Sequence, residues 1–375
     1  MLWTPFWRLP WTASSSKPTP PPLPPGVTRT YIPTPQGDLE LLSAVPPSSF
    51  LSPTTSSTLS TPSPVPHILF LHGGFGSAAV WLPYLTYLST NHGIPCHALS
   101  LRGHGASWQP GYLRMVWGTG MAAMTEDVVA VVVEGLKVFG EGLEVVLVGH
   151  SSGGGLAQWV IETEGGGCGD GGKGRLKGMV RGLGLLAGTP CFGQIGVYWN
   201  WLKHDLFFPI RVLFHLYHPL SPLSTLELVK GAFFSPAVSN SAVAEFRRTC
   251  MMGYESMIWP NQMMRRLVYP RNVLLNLVGW GSNGQRVLVV AGKGDKLMGT
   301  RLMNEMADEY RAAYRGLVSK KKIDGVEDEV QALTKGEGTT GQGVRYAELD
   351  AAHHLQNDVG WEEGAERLAE FWAQL

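Results

Sequence analysis

The chain has 375 residues, of which 44% are hydrophobic and 16% are charged. That length and apolar content fit one large α/β domain with insertions and a substantial core. Lys and Arg together number 30, as do Asp and Glu, so the formal net charge is zero. This balance lacks the basic footprint of a nucleic-acid-binding protein, and we expect no nucleic-acid partner.

The cysteine pattern favours an intracellular, cytoplasmic protein. The four cysteines form no CxxC pair and no metal-ligand spacing, so we predict no metal site. They are interpreted as reduced, mostly buried thiols, with two disulfides as the alternative. The sequence contains no apolar run of the roughly 18 residues that a membrane-spanning helix needs. These cysteines are Cys96, Cys168, Cys191 and Cys250.

Residues 1–26 are predicted to form a disordered or surface-draped tail. Pro5 and Pro10 interrupt its apolar residues, which argues against a cleaved secretory signal. No acidic residue precedes Asp38 and serine is frequent, so organelle targeting is one alternative. A Trp-rich tip that lies at a membrane interface is another. The apolar residues of the tip are Trp3, Phe6, Trp7 and Trp11.

Strand and helix patterns alternate through the first half of the chain. The Pro-, Ser- and Thr-rich stretch at 46–66 is predicted to be an unstructured insertion. We expect one long helix over 121–139, directly before the strand that carries the principal motif. The predicted strands of this half span 27–32, 39–45, 67–71, 94–101 and 145–148, and a helix is predicted over 77–90.

The second half keeps this alternation except for one segment. Residues 189–276, rich in aromatic residues and methionine, break it and are predicted to form a helical cap. The cap divides an α/β core made of 27–188 and 277–375. The Gly-rich stretch 164–174 and the charged stretch 319–343 are predicted to be loops. Strands are predicted over 182–187, 286–291 and 344–349, and helices over 300–317 and 360–375.

Alternating strands and helices imply a mostly parallel sheet, whose ligands bind at the carboxyl ends of the strands. His72, Ser151, Asp295 and His353 each follow a predicted strand closely. We therefore expect these four side chains to meet at one edge of the sheet.

The motif at 149–153, GHSSG, lies between an apolar strand and a helix pattern. This context fits the G-x-S-x-G nucleophile elbow, in which Ser151 sits in a strained turn. Gly149 and Gly153 lack side chains that would otherwise collide with the neighbouring strand or helix. Ser152 is the rival nucleophile, but only the third residue of an elbow is presented at the turn.

Five motifs make the chain similar to the α/β-hydrolase family over roughly residues 66–375. The resemblance implies a mostly parallel central sheet flanked by helices, with a helical cap insertion and no cofactor. The motifs are HGGFG at 72–76, RGHG at 102–105, GHSSG at 149–153, GKGD at 292–295 and HHLQND at 353–358.

The family order of nucleophile, acid and base implies Ser151, Asp295 and His353 as the catalytic residues. His354 is an alternative base, and a helix N-cap is an alternative role for Asp295. Family members usually have glycine before the base, where this chain has Ala352.

Two neighbouring acids, Asp350 and Asp358, are interpreted as strand-end and N-cap residues. The resemblance also implies an oxyanion hole formed by the amides of Gly74 and Ser152, with Phe75 as the next candidate. His72 would brace the loop of Gly74, and His104 is expected to be structural.

The aromatic residues within 192–259 predict a pocket for a small lipophilic substrate. Residues 206–220 could form a lid helix that meets a lipid surface. The sequence therefore favours a serine hydrolase that cleaves a lipophilic carboxylic ester through an acyl-enzyme. The alternatives are an acyltransferase, thioesterase or C–C hydrolase with the same residues, a non-catalytic ligand-binding protein, and a membrane-surface adaptor. The oligomeric state stays open.

Overall fold

The structure is a computed structural model that describes residues 3–13, 19–46, 65–166, 174–281, 284–326 and 328–375. Most of the predicted insertion at 46–66 lies outside these residues, as does most of the Gly-rich loop at 164–174. Cys96, Cys191 and Cys250 are buried free thiols, and Cys168 lies outside the described residues.

One twisted sheet of ten strands organises the described chain, in the order β1-β2-β4-β3-β5-β6-β7-β10-β9-β8. The six strands from β4 to β10 in this order run parallel, and the two edges are antiparallel. The strands are β1 Val27–Ile32, β2 Leu39–Ala44, β3 His67–Leu71, β4 Cys96–Leu99, β5 Val145–His150, β6 Val180–Leu186, β7 Val287–Gly292, β8 Gln331–Ala332, β9 Glu337–Gly341 and β10 Val344–Leu349.

Helices cover both faces of the sheet. Helices α1 and α12 pack together on one face, and α3, α4, α10 and α11 cover the other. The helices are α1 Leu82–His92, α2 Tyr112–Gly118, α3 Met121–Ala130, α4 Ser152–Glu164, α5 Ile195–His204, α6 Phe208–Phe214, α7 Leu226–Phe233, α8 Asn240–Thr249, α9 Ile258–Gln262, α10 Pro270–Leu275, α11 Thr300–Ser319 and α12 Trp361–Trp372.

The sheet is buried because its central strands are continuously apolar. Every residue of β3, β5 and β7 is buried, as expected for parallel strands covered on both faces. Residues 195–262 contribute α5 to α9, which lie above the carboxyl ends of the strands. Helix α10, also within the predicted cap, instead packs against α4 and α11.

Two of the differences from the sequence predictions are large. The single helix predicted over 121–139 ends as α3 at Ala130 and continues as the π-helical turn Val131–Gly135 and the 3₁₀ turn Leu136–Phe139. The loop predicted over 319–343 contains β8 and β9, which extend the sheet edge from β10. The sequence of β9, EGTTG, lacks the apolar alternation that predicts a strand, and pairing with β10 supplies its order.

The described part of the tail runs along the cap surface. Residues 3–13 include a 3₁₀ turn at Phe6–Arg8 and contact the segment after α6. Among the described residues, no single helix is long and apolar enough to cross a membrane. Only α2 together with 121–139 reaches that length and hydropathy, and this pair is bent by 107°.

Candidate active site

Ser151 lies in the sharp turn between β5 and α4, with a φ of 54° and a ψ of −128°. A non-glycine residue in this region of backbone space is strained. The turn is possible because its glycines allow close packing. A Cβ on Gly149 would lie 2.3 Å from the Gly153 carbonyl oxygen, and a Cβ on Gly153 would lie 2.4 Å from that of His72.

The three predicted catalytic residues meet at the carboxyl edge of the sheet. The Ser151 Oγ lies 3.1 Å from His353 Nε2, and His353 Nδ1 lies 2.9 Å from Asp295 Oδ2. Asp295 follows β7 and His353 follows β10, and both side chains are buried. A carboxylate at Nδ1 keeps the hydrogen of a neutral imidazole on that nitrogen and leaves Nε2 free to accept the serine proton.

Asp295 is held as a carboxylate by its surroundings. Its second oxygen, Oδ1, accepts hydrogen bonds from the amides of Leu297 and Met298 at 2.7 and 2.9 Å. Burial alone would raise the pKa of Asp295, but His353 and these amides outweigh burial and lower that pKa below its usual value. The N-cap of α11 is Gly299, so Asp295 does not cap that helix.

The rival residues have different surroundings. His354 accepts a hydrogen bond from Asn357 Nδ2 at 3.1 Å and packs against the rings of Phe234 and Phe246. Burial, followed by the neighbouring histidines, lowers the pKa of His354 well below its usual value, so its imidazole is neutral. The Ser152 Oγ is buried and has no hydrogen-bond partner among the described residues.

His150, which the sequence analysis did not single out, supports the loop of His353. Its Nε2 donates to the His353 carbonyl oxygen at 2.9 Å, and its ring lies between those of His353 and His354. Burial, with a smaller contribution from the charge of His353, lowers the pKa of His150 to about 3. A neutral His150 therefore fixes the backbone that carries the base, without a charge competing at the site.

Asp358 does not have the predicted N-cap role. Its Oδ2 accepts from the amides of Ala352 and Ser235 at 2.8 and 2.9 Å, while Gly360 is the N-cap of α12. The carboxylate therefore joins the loop of the base to the end of α7. Ala352 is not among the described residues with positive φ, so an alanine fits where the family usually has glycine. Asp350 lies 3.6 Å from Lys293 Nζ, after β10.

The loop after β3 passes directly over the elbow. A Cβ on Gly73 would lie 2.8 Å from the Ser151 Cβ, and a Cβ on Gly74 would lie 3.6 Å from the Ser152 Oγ. No hydrogen-bond acceptor within the described ranges is assigned to the amides of Gly74 and Ser152. Phe75, the next candidate donor, instead gives its amide to Glu255 Oε2 at 2.7 Å. Of these two candidate donors, Gly74 therefore has the amide that is free to bind an oxyanion, because the amide of Phe75 is already used.

Glu255, between α8 and α9, is the second residue that the sequence analysis missed. Its Oε2 also lies 3.0 Å from His104 Nε2, and its Oε1 accepts from the Ser256 amide. His104 Nδ1 donates to the Arg102 carbonyl oxygen at 2.9 Å. Burial alone would lower the pKa of His104, but Glu255 and the hydrogen bonds outweigh it and raise that pKa above its usual value. The two form a buried ion pair beside Phe75.

His72, which was expected to brace the loop of Gly74, contacts that loop and the loop after β4. His72 Nδ1 donates to the Gly73 carbonyl oxygen at 2.8 Å, and its Nε2 accepts from the Leu101 amide at 3.2 Å. Burial above all lowers the pKa of His72 well below its usual value, so it acts as a neutral strut. Arg102 pairs with Asp127 of α3 at 2.7 Å.

A cavity of about 190 Å³ opens beside the Ser151 hydroxyl and runs under the cap. Gly74, Ser152 and His353 lie at its base, so the nucleophile and both candidate amides face the same space. Its apolar walls come from the cap and from the loop after β7. They include Trp201, Phe208, Val212, Phe233, Met257, Trp259, Leu297 and Met298.

The family model for the alpha/beta hydrolase family matches residues 68–330, well over half of the chain. This chain belongs to the alpha/beta hydrolase family. The match confirms both the resemblance seen in the motifs and the predicted fold class. No curated protein matches the sequence of this α/β hydrolase.

Solved structures with the same fold cover nearly all of this α/β hydrolase. An esterase from Thermogutta terrifontis is 16% identical, with a TM-score of 0.56 over 92% of this chain and 98% of that one. The carboxylesterase CesB from Bacillus subtilis is 14% identical, with a TM-score of 0.53 over 93% and 92%. A thioesterase domain from the curacin biosynthetic pathway is 14% identical, with a TM-score of 0.50 over 92% and 99%. At these identities the likeness establishes the fold alone.

Proposed function

We propose that this α/β hydrolase is a serine hydrolase that cleaves a carboxylic ester of a small lipophilic substrate. The observation that carries the proposal is the continuous hydrogen-bonded chain from Ser151 through His353 to Asp295, with contacts of 3.1 and 2.9 Å. A serine hydroxyl attacks a carbonyl only when a base takes its proton, and this arrangement provides that base.

The geometry supports a two-step route. Ser151 Oγ attacks the ester carbonyl as His353 Nε2 takes its proton, and Asp295 stabilises the resulting imidazolium. The amides of Gly74 and Ser152 stabilise the oxyanion. The intermediate collapses, His353 gives the proton to the leaving alcohol, and an acyl-Ser151 ester remains. Water, deprotonated by His353, then releases the acid and restores the serine.

The walls of the cavity favour an apolar acyl or alcohol group. Trp201, Phe208 and Met257 line it, and a chain held between them leaves water when it binds. Thioesters share the carbonyl chemistry, so a thioesterase is the second candidate. The cavity beside Ser151 favours both over a purely ligand-binding role, because the hydroxyl, its base and two free amides converge on one point.

A panel of p-nitrophenyl esters of increasing chain length, with the matching acyl-CoA thioesters, tests this assignment. We expect ester kcat/KM to rise with chain length by up to about fourfold per methylene until the cavity is filled. If kcat/KM were highest for the acetate and fell with every added methylene, the proposal of a lipophilic substrate would be contradicted. The proposal of a serine hydrolase would still stand. If the protein cleaved the thioesters but none of the esters, the result would favour the thioesterase.

Glu255 is proposed to position the oxyanion loop, because it fixes the amide of Phe75 next to Gly74. In Glu255→Gln the loop keeps an oxygen acceptor, but His104 loses the carboxylate that keeps it charged. We expect kcat to fall roughly five- to tenfold with little change in KM. Glu255→Ala, which removes the hydrogen-bond partner of the Phe75 amide and of His104 Nε2, should lower kcat further and should also lower the melting temperature.

The pH profile separates this role from a purely structural one. The raised pKa of His104 means that the ion pair stabilises the loop fully below pH 6.5 and is lost as pH rises through the raised value. The wild type should therefore lose kcat on the alkaline side, and Glu255→Gln should not show that limb. An unchanged alkaline limb in Glu255→Gln would contradict the proposed coupling.

A further inference from the structure

Helix α6 of the cap has two apolar sides. Phe208 and Val212 line the cavity, whereas Ile210 and Leu213 are each 56% exposed on the outer side. The one charged residue of α6, Arg211, is buried and pairs with Asp205. The outer side of the helix therefore presents only apolar groups. These groups are not needed to pack α6 on the protein, because its inner side already does so.

The N-terminal strap, residues 3–13, is attached to the segment that follows α6. His215 Nε2 donates to the Thr4 carbonyl oxygen at 2.6 Å, and His218 Nε2 donates to that of Pro10 at 2.9 Å. The ring of Trp3 packs edge-on against Phe214, with 5.4 Å between centroids. These contacts place the Trp-rich strap beside the outer side of α6.

The strap also reaches α2, because Trp11 lies 6.1 Å from Tyr112 between ring centroids. The strap, α2 and residues 206–217 together form one exposed surface, here named the aromatic face. More than half of each of its most prominent side chains is exposed. Those side chains are Trp7, Leu113, Trp117, Ile210, Leu213 and Tyr217.

The charges of the aromatic face have one sign. Residues 3–13, 112–118 and 206–217 contain no Asp or Glu, while Arg8 and Arg114 are exposed. Cationic side chains among exposed Trp, Tyr and aliphatic residues are typical of surfaces that lie in the headgroup region of an anionic bilayer. In a two-fold dimer the same face would oppose its copy, and neither copy's face would supply an Asp or Glu to pair with Arg8 or Arg114.

We propose that the aromatic face docks on an anionic phospholipid surface. Docking places α6 between the lipid and the cavity, so a lipophilic ester leaves the bilayer directly above Ser151. The transfer of substrate rests on the proposed function, but the docking does not, because neither the strap nor the outer side of α6 takes part in the chemistry.

Vesicle co-sedimentation tests the docking on Ser151→Ala protein as well as on the wild type. We expect both to sediment with phosphatidylcholine vesicles that contain phosphatidylserine, and more weakly with phosphatidylcholine alone. The double variant Ile210→Glu/Leu213→Glu should bind roughly tenfold more weakly or worse to both. Arg8→Gln/Arg114→Gln should lose roughly tenfold on the mixed vesicles only.

Val138→Glu is the matched control. Val138 is 80% exposed. Its neighbour Phe139 packs on His67 and His97 at the amino ends of β3 and β4, away from the carboxyl ends that carry the site. It should bind vesicles like the wild type. Hydrolysis of a short soluble ester by the double variant reports correct folding. The proposal would be overturned if the wild-type protein stayed in the supernatant or if the double variant bound vesicles normally. It would also be overturned if the protein formed a dimer that the double variant abolished. Failure of ester hydrolysis with intact vesicle binding would overturn only the proposed function.

Discussion

Replacement of Ser151 by alanine should reduce kcat on p-nitrophenyl esters by roughly 10⁴- to 10⁶-fold. The side chain is the one hydroxyl that the structure places within 3.1 Å of His353 Nε2, and alanine removes the attacking oxygen without altering the elbow. A small methyl group also fits the strained turn, so the melting temperature should change little. A fluorophosphonate probe should label the wild type at Ser151 and should not label the variant.

Ser152→Ala is the matched control for this experiment. The Ser152 Oγ has no hydrogen-bond partner among the described residues, and its proposed role uses the backbone amide, which alanine retains. Labelling should persist and kcat should stay within about threefold of the wild type. Mass spectrometry of the labelled peptide identifies the modified serine. A probe found on Ser152 would refute the assignment of the elbow.

Replacement of His353 by alanine should be nearly as damaging, and His354→Ala should not be. Within the part of the chain that the structure describes, His353 is the base that contacts Ser151, and its loss removes that base. Residues that act as a unit show similar, non-additive losses. We expect kcat to fall roughly 10⁴-fold or more, and Ser151→Ala/His353→Ala to be little worse than either change alone. His354→Ala should lower stability by about 1–3 kcal/mol, because its ring is packed among Phe234 and Phe246.

Added imidazole distinguishes the two histidines further. The cavity created in His353→Ala lies beside the Ser151 hydroxyl, so a soluble imidazole bound there should restore part of the activity. The same addition should leave His354→Ala unchanged, since that variant keeps its base. Rescue of His354→Ala alone, or a larger kcat loss in that variant, would move the base by one residue.

Much of the fold is predictable because parallel strands leave a strong local signal. The strands β1, β3 and β10 have the predicted bounds. The run HILFL of β3 is buried along its whole length, whereas β1, VTRTYI, is marked by its β-branched and aromatic residues. Strand ends then place Ser151, Asp295 and His353 on one edge. Their catalytic roles stay predictions, although the observed contacts are those that the roles require.

The residues that were missed act across long stretches of sequence. Glu255 meets His104 and Phe75, which are 151 and 180 residues away, and no local pattern marks it. Asp358 was named, but its role was predicted wrongly for the same reason, because its partner Ser235 lies 123 residues away. The edge strand β9 was missed for a related reason, because its order comes from pairing with β10 rather than from its own composition.

The link through Asp358 limits how this enzyme can open. Its carboxylate holds the Ala352 amide and the end of α7 together, and the His354 amide donates to the Phe233 carbonyl oxygen at 2.9 Å. A cap that swung away as a rigid gate would pull the imidazole off the serine. We therefore expect the wall formed by α7 to stay in place during turnover, and substrate to enter by movement of another part of the cap.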